Sequence, residues 1–251
     1  MILRRLVSAF RKQDWFTVAV EIMIVVLGVF LGLQANNWNE ARADRQREAG
    51  YLQGLAQDIR IDIADMDEII RVSTLRMSAM SHLLEQAGGA PLPDGFDSAR
   101  GRIVVEPSPP YDASDPKTIG IAMFILTTLD GNRLTYDTMI NAGGIGIIRD
   151  AALARDIQTY YARVDKALLF EEALRQSRVE LVDAQQEGGL SPVDTTAADA
   201  LAAMFRSHPS MLAAAKNYWL YTNRHVRDIK ALRDQAHRLA EKIESGGPGP
   251  D

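Results

Sequence analysis

Between Trp15 and Ala35 the chain reads WFTVAVEIMIVVLGVFLGLQA, with Glu21 as its one ionisable residue. As a helix this run is roughly 30 Å long at 1.5 Å per residue, which matches the hydrocarbon core of a bilayer. The run predicts one transmembrane helix near the N-terminus, with the rest of the chain on one side of the membrane. Arg4, Arg5, Arg11 and Lys12 precede it, whereas Arg42, Arg45 and Arg47 after it are balanced by Glu40, Asp44 and Glu48. By the positive-inside rule the N-terminus is cytoplasmic and the body lies outside. Trp15 and Trp38 bracket the run at the depth of the two interfaces. A cleaved signal peptide is the competing reading. It calls for an apolar stretch of about 7–15 residues and a small-x-small site. This run is longer, and Leu33-Gln34-Ala35 carries a large residue where a small one is needed.

A carboxylate inside lipid is costly, so Glu21 is a functional candidate unless it snorkels or pairs with Arg11 or Lys12. Glu21, Val25, Gly28, Gly32 and Ala35 recur at 4-3-4-3 spacing and share one stripe of a helix. Gly28 and Gly32 form a G-x-x-x-G pair, which lets two helix backbones approach closely in a membrane. The stripe is the expected packing face for another transmembrane helix, from a second copy or from a partner.

The body has an ordinary composition, 47% hydrophobic and 24% charged over the whole chain, which argues against disorder. It is net acidic, which gives no electrostatic reason to expect nucleic acid. The absence of cysteine excludes disulfides and thiol chemistry. Apolar residues at Leu52, Leu55, Ile59, Ile63, Met66, Ile70, Met77, Met80 and Leu84 predict a long amphipathic helix over 36–87, with Ser73 as the polar break. That stripe suits packing on the later helices better than a coiled coil, whose seam is richer in Leu.

The stretch 88–117 is rich in Pro and Gly and reads as an irregular crossing, with Ile103-Val104-Val105 strand-like. Thr118 to Leu129 is expected to be a helix containing the core patch IGIAMFIL (119–126), and Thr135 to cap a short helix reaching Ala142. Gly143-Gly144-Ile145-Gly146 is a helix-to-helix corner; no strand precedes it and no Lys-Ser/Thr follows, so it is not a phosphate loop. Asp150 caps a long helix to about Gln186, and Thr196 to Asp199 forms a capping box for a helix to Phe205. A last helix runs from about Pro209 to Glu244. The divisions expected are a basic segment 1–14, the span 15–35, a helical stalk 36–87, the loop 88–117, a helical domain 118–245 and a tail 246–251. The fold class is all-α, with the span continuing into a long helix and an antiparallel helical bundle outside the membrane.

No catalytic or metal-binding constellation emerges. His82, His208, His225 and His237 have no ligand spacing, and read as surface or core residues. No nucleophile motif is present. Asp58, Asp62, Asp65 and Glu68 read as a solvated helix face. The bases of the last helix (Arg224, Arg227, Lys230, Arg233, Arg238, Lys242) alternate with acids, as in a salt-bridged surface. Tyr160-Tyr161 and Tyr218-Trp219-Tyr221 are core aromatics, with a small apolar pocket between helices as the minority reading. No catalytic residue, cofactor or metal is expected.

Glu21-Ile22, Gly28, Leu33-Gln34 and Asn36-Asn37-Trp38-Asn39-Glu40 resemble the opening of a bacterial family of uncharacterised single-pass membrane proteins, of the form EI…G…LQxNNWNE. A second likeness runs through Thr135-Tyr136-Asp137, Gly143 to Ile148 and Ala151 to Tyr160-Tyr161, with Gly143-Gly144-Ile145-Gly146 departing from the family's single glycine. The resemblance implies a helical protein anchored in the inner membrane with a periplasmic body, and transfers no activity. Trp15, Asn36, Asn37, Trp38, Asn39 and Glu40 form an interfacial cluster that serves headgroup contacts or an interhelical clasp. The expected role is non-enzymatic: an accessory or structural subunit whose partners are the bilayer and other transmembrane helices, in an oligomer or larger complex. The alternative is a ligand-sensing domain. With about fourteen residues before the span there is no room for an output domain, so its signal passes sideways to a partner.

Overall fold

A computed structural model describes residues 15–89, 105–112, 119–191 and 196–246, with side chains from Ala19 onward. The basic segment, the Trp15 side chain, most of 88–117 (Ile103 and Val104 included) and the residues after Gly246 lie outside that description. Among the described residues six α-helices follow in order: α1 (Trp15–Gln86), α2 (Ile119–Ala122), α3 (Leu134–Asn141), α4 (Ala151–Glu187), α5 (Ala198–Ser207) and α6 (Pro209–Gly246). A 3₁₀ turn, Ile145–Ile147, separates α3 from α4. No strand occurs among the described residues, and the chain is all-α as expected. It divides into two compact units, Met1–Gly50 and Tyr51–Asp251.

In the second unit the stripe on α1 is buried, Ile70 only partly, and two apolar clusters stack along the helices. The first joins Leu52–Ile69 of α1 with Leu153–Val164 of α4 and Ile229–Ile243 of α6. The second joins Met77–Leu84 of α1 and Ala87 just beyond it with Leu174 and Leu181 of α4 and Met211–Trp219 of α6, and is closed by α2 and α5. Each fully buried Leu, Ile or Met side chain here contributes about 1.5–3 kcal/mol, and this, more than helix propensity, holds helices of this kind. The numbering of the two clusters rises together along α1 and α4 and falls along α6. Bonds from Asp156 to Lys242 and from Arg163 to Gln235 show the antiparallel register of α4 and α6. Arg60 to Glu244 and Ser81 to Trp219 show it for α1 and α6. By contrast α1 and α4 run in the same direction, because the chain between Gln86 and Ala151 travels back to the starting end before α4 begins.

Several local expectations change. Helix α2 is only four residues long, and 125–133 is irregular where a helix to Leu129 is expected. The backbone there is captured by side chains of the long helices: Arg76 Nη1 donates to the Ile125 carbonyl (2.6 Å), and the Glu171 carboxylate accepts from Leu129 N–H (3.0 Å). Such bonds compete with the helical ladder for the same groups. Thr135 does not cap α3. It lies inside the helix, and its N–H is taken by Asp58 Oδ2 at 2.9 Å. Thr196 does not cap α5 either; Ala197 holds that position with no side-chain bond. Asp150 does cap α4, accepting from Ala152 and Leu153 N–H at 2.8 and 3.1 Å. Gly143 and Gly144 both take positive φ (149° and 84°) at the corner before α4, a conformation that favours glycine.

Candidate functional site

Within the first unit α1 presents apolar surface all round. Every large apolar side chain from Val20 to Leu33 is 36–64% exposed, and the helix is long and apolar enough to cross a membrane. In water such a surface costs free energy in proportion to its area, so it requires a cover. Because the helix is unbroken here, Glu21, Val25, Gly28, Gly32 and Ala35 fall within a sector about 80° wide at 3.6 residues per turn. A Cβ added at Gly28 or Gly32 meets nothing within 4 Å, so each glycine leaves a notch that none of the described residues fills. In the interfacial cluster, Asn36 Nδ2 donates to Glu40 Oε1 at 2.7 Å, and the Arg42 guanidinium lies 6.0 Å from the Trp38 ring centre. Asn37 and Asn39 are exposed.

Between the two apolar clusters of the second unit lies a buried polar layer built from all three long helices. From α1, Arg76 is fully buried. Its Nη2 donates to Ser73 Oγ (3.0 Å), its Nε to Thr222 Oγ1 on α6 (3.2 Å), and its Nη1 to the Ile125 carbonyl (2.6 Å). The ring of Tyr218 lies under the guanidinium at 5.4 Å. Burial lowers the affinity of Arg76 for its proton and Tyr218 opposes that, so the cation is held by oxygen acceptors and an aromatic face. From α4, Glu171 accepts from Leu129 N–H and, at 2.9 Å, from His225 Nε2 of α6; Glu171 and His225 are each 1% exposed. Nδ1 of His225 is buried with no hydrogen-bond partner. Ser73, the polar break in the α1 stripe, thus belongs to a structured layer.

A second cluster corrects the reading of Asp58, Asp62, Asp65 and Glu68 as a solvated face. Asp58 and Asp62 are buried, Asp65 is half-buried, and Glu68 is exposed. Asp62 accepts from Asn132 N–H (2.8 Å) and Tyr160 Oη (2.6 Å), while Asp58 holds Thr135 N–H. One turn of α1 thus pins the start of α3. Desolvation pushes the Asp62 carboxyl above the ordinary aspartate range, against the lowering effect of its Tyr160 and Asn132 bonds. Tyr161 stacks on Tyr136 at 4.0 Å, and Arg133 lies over both rings at 5.3–5.5 Å. Tyr160, Tyr161, Tyr218 and Trp219 are core residues. Tyr221 is half-buried and stacks on Phe170 at 5.7 Å.

Phe170 and His225 also form part of a cavity of about 340 Å³ between α4 and α6. Its rim carries Arg163, Lys166 and Arg224 against one acid, Asp228. Ile229 and Leu232 supply apolar wall, and Ala167 and Ala231 leave room. The Arg224 guanidinium stacks on Phe170 at 4.6 Å while its Nε donates to Asp228 at 3.3 Å. Among the described residues no group of three or more His, Asp or Glu is placed to hold a metal ion. His225 is the residue that reading by spacing overlooks. Its partner Glu171 lies on another helix, so no local motif marks the pair.

Residues 21–89 match the model of a family of unknown function (DUF6090). The match takes in the stripe Glu21 to Ala35, the residues Asn36 to Glu40, and α1 to just beyond its end. It stops short of the second likeness (Thr135 to Tyr161) and of the cavity. No curated protein and no solved structure matches the chain.

Proposed function

We propose that the chain is a non-enzymatic, membrane-anchored helical protein, an accessory or structural subunit of an assembly in a bacterial inner membrane, with its second unit on the periplasmic side. The observation that carries this is the uncovered α1 surface from Val20 to Leu33, with unfilled notches at Gly28 and Gly32 on the same stripe as Glu21. Lipid covers an apolar helix but does not fill a G-x-x-x-G groove as closely as a second backbone does. Glu21, costly in lipid, gains a hydrogen-bonding partner in the same contact. The partner is another transmembrane helix, from a second copy or a different protein. The interfacial amides at Asn36, Asn37 and Asn39 extend that contact to the membrane surface.

The native chain has no cysteine, so single replacements give a clean test. Cysteines at Val25, Gly28 and Gly32, oxidised in native membranes, are expected to crosslink to a second copy or to a partner identified by mass spectrometry. Cysteines at Val26 and Leu27, off the stripe, are expected not to. Equal crosslinking all round the helix contradicts a specific face. A second reading, a ligand-sensing body that signals sideways to a partner helix, draws its support from the cavity between α4 and α6.

A further inference from the structure

We propose that the cavity between α4 and α6 binds a small organic anion with an apolar body, of the size of an aryl carboxylate. The proposal is independent of the membrane role, since the cavity lies wholly within the second unit. Three observations set that chemistry, and a fourth marks an unsatisfied polar atom in the same wall. First, a volume of about 340 Å³ falls within the range of small-molecule sites. Second, the rim bears three cations and one carboxylate, so the mouth favours negative charge. Third, the interior is apolar: Phe170, Ile229 and Leu232 offer contact, and Ala167 and Ala231 keep the space open. Fourth, His225 lines the cavity, is 1% exposed, and has a buried Nδ1 without a partner. Its Nε2 is engaged by Glu171, and the two ring nitrogens point in widely different directions, so Nδ1 faces away from that carboxylate. Buried polar groups are seldom left unpaired, and where one is, a bound ligand or a water it traps is a natural partner.

The chemistry also discriminates between ligands. Inorganic phosphate answers the rim and leaves the apolar interior wet. A neutral aromatic fills the interior and wastes the cations. Arg224, flat on Phe170, offers a guanidinium at the boundary between the two zones, where the carboxylate of an aryl acid emerges.

The test uses the full chain in lipid nanodiscs and ¹⁹F NMR of 4-fluorophenylacetate. Saturable binding is expected, without competition from 2-(4-fluorophenyl)ethanol or inorganic phosphate. Lys166→Gln combined with Arg224→Gln should weaken it by about tenfold or more. Ala231→Trp should abolish it by filling the space. Ala231, Lys166 and Arg224 are exposed, so the variants keep the fold; unchanged circular dichroism checks this. Arg60→Gln, on α1 and paired with Glu244, should bind as the wild type does. No saturable binding in the millimolar range overturns the proposal. So does equal binding of the neutral alcohol, or full binding by Ala231→Trp.

Discussion

Glu171 is the acceptor on which the buried polar layer turns, and its removal has a calculable cost. The carboxylate receives Leu129 N–H through both oxygens, at 3.0 and 3.1 Å, and His225 Nε2 at 2.9 Å. In Glu171→Ala both donors stay buried and lose their partner. An unpaired buried donor costs about 1–3 kcal/mol, and here two donors lose one acceptor. The expected loss is therefore about 2–6 kcal/mol, a large share of the roughly 5–15 kcal/mol that holds an ordinary domain. Glu171→Leu separates packing from hydrogen bonding, since it restores volume without an acceptor; it should cost nearly as much as alanine. Glu171→Gln keeps one carbonyl oxygen and should cost only about 1–2 kcal/mol. The assay is urea unfolding of the full chain in nanodiscs, followed by near-ultraviolet circular dichroism of the core tyrosines and Trp219. Hydrogen exchange at the Leu129 amide is the local readout. If Glu171→Leu is as stable as the wild type and Leu129 keeps its protection, the layer is not held as described.

Three further outcomes follow from the fold. A Cβ at Gly54 would lie 2.8 Å from Thr135 Cγ2, so Gly54→Leu should destabilise by about 1–3 kcal/mol. Gly54→Ala with Thr135→Ala should restore or exceed wild-type stability through helix propensity, as read by urea unfolding. Because Asp62 binds its proton more tightly folded than unfolded, stability is lost as pH rises from about 4 through the raised folded value. Asp62→Asn has no such proton to lose, so the stability of the wild type relative to the variant should fall across that window and level off above it. Asp150 is shifted the opposite way by its bonds to Ala152 and Leu153, so its capping contribution is present above the ordinary aspartate value and fades as pH falls. Asp150→Ala should fray the start of α4, seen as faster amide exchange at Ala152 and Leu153 at neutral pH, with little difference from the wild type in strong acid.

What the chain discloses in one dimension is its helices. Their apolar periodicity and their breaks are local properties, so the stripe Leu52 to Leu84, the Asp150 cap and the limits of α4 and α6 can be read from neighbouring residues. The region 118–135 misleads for the opposite reason. Its backbone partners, Arg76, Asp58, Asp62 and Glu171, come from distant parts of the chain and outcompete the local helical tendency. The acidic spacing Asp58–Asp62 is equally ambiguous until α3 is packed against it. The parallel course of α1 and α4 depends on where the long connection leads, which no periodicity encodes. That Glu21, Val25, Gly28, Gly32 and Ala35 share a face is legible because they lie on one helix. The cavity is not, since its basic rim and its histidine come from two helices whose charges look like an ordinary solvated surface when each is read alone.

In the proposed role Trp15 to Ala35 remains lodged across a bilayer in the mature protein. Alkaline carbonate extraction of native membranes, with the N-terminus of the extracted chain determined by mass spectrometry, addresses it most directly. The chain is expected to stay with the pelleted membranes and to retain the segment before Trp15. A chain released to the supernatant, beginning beyond Trp38, contradicts it.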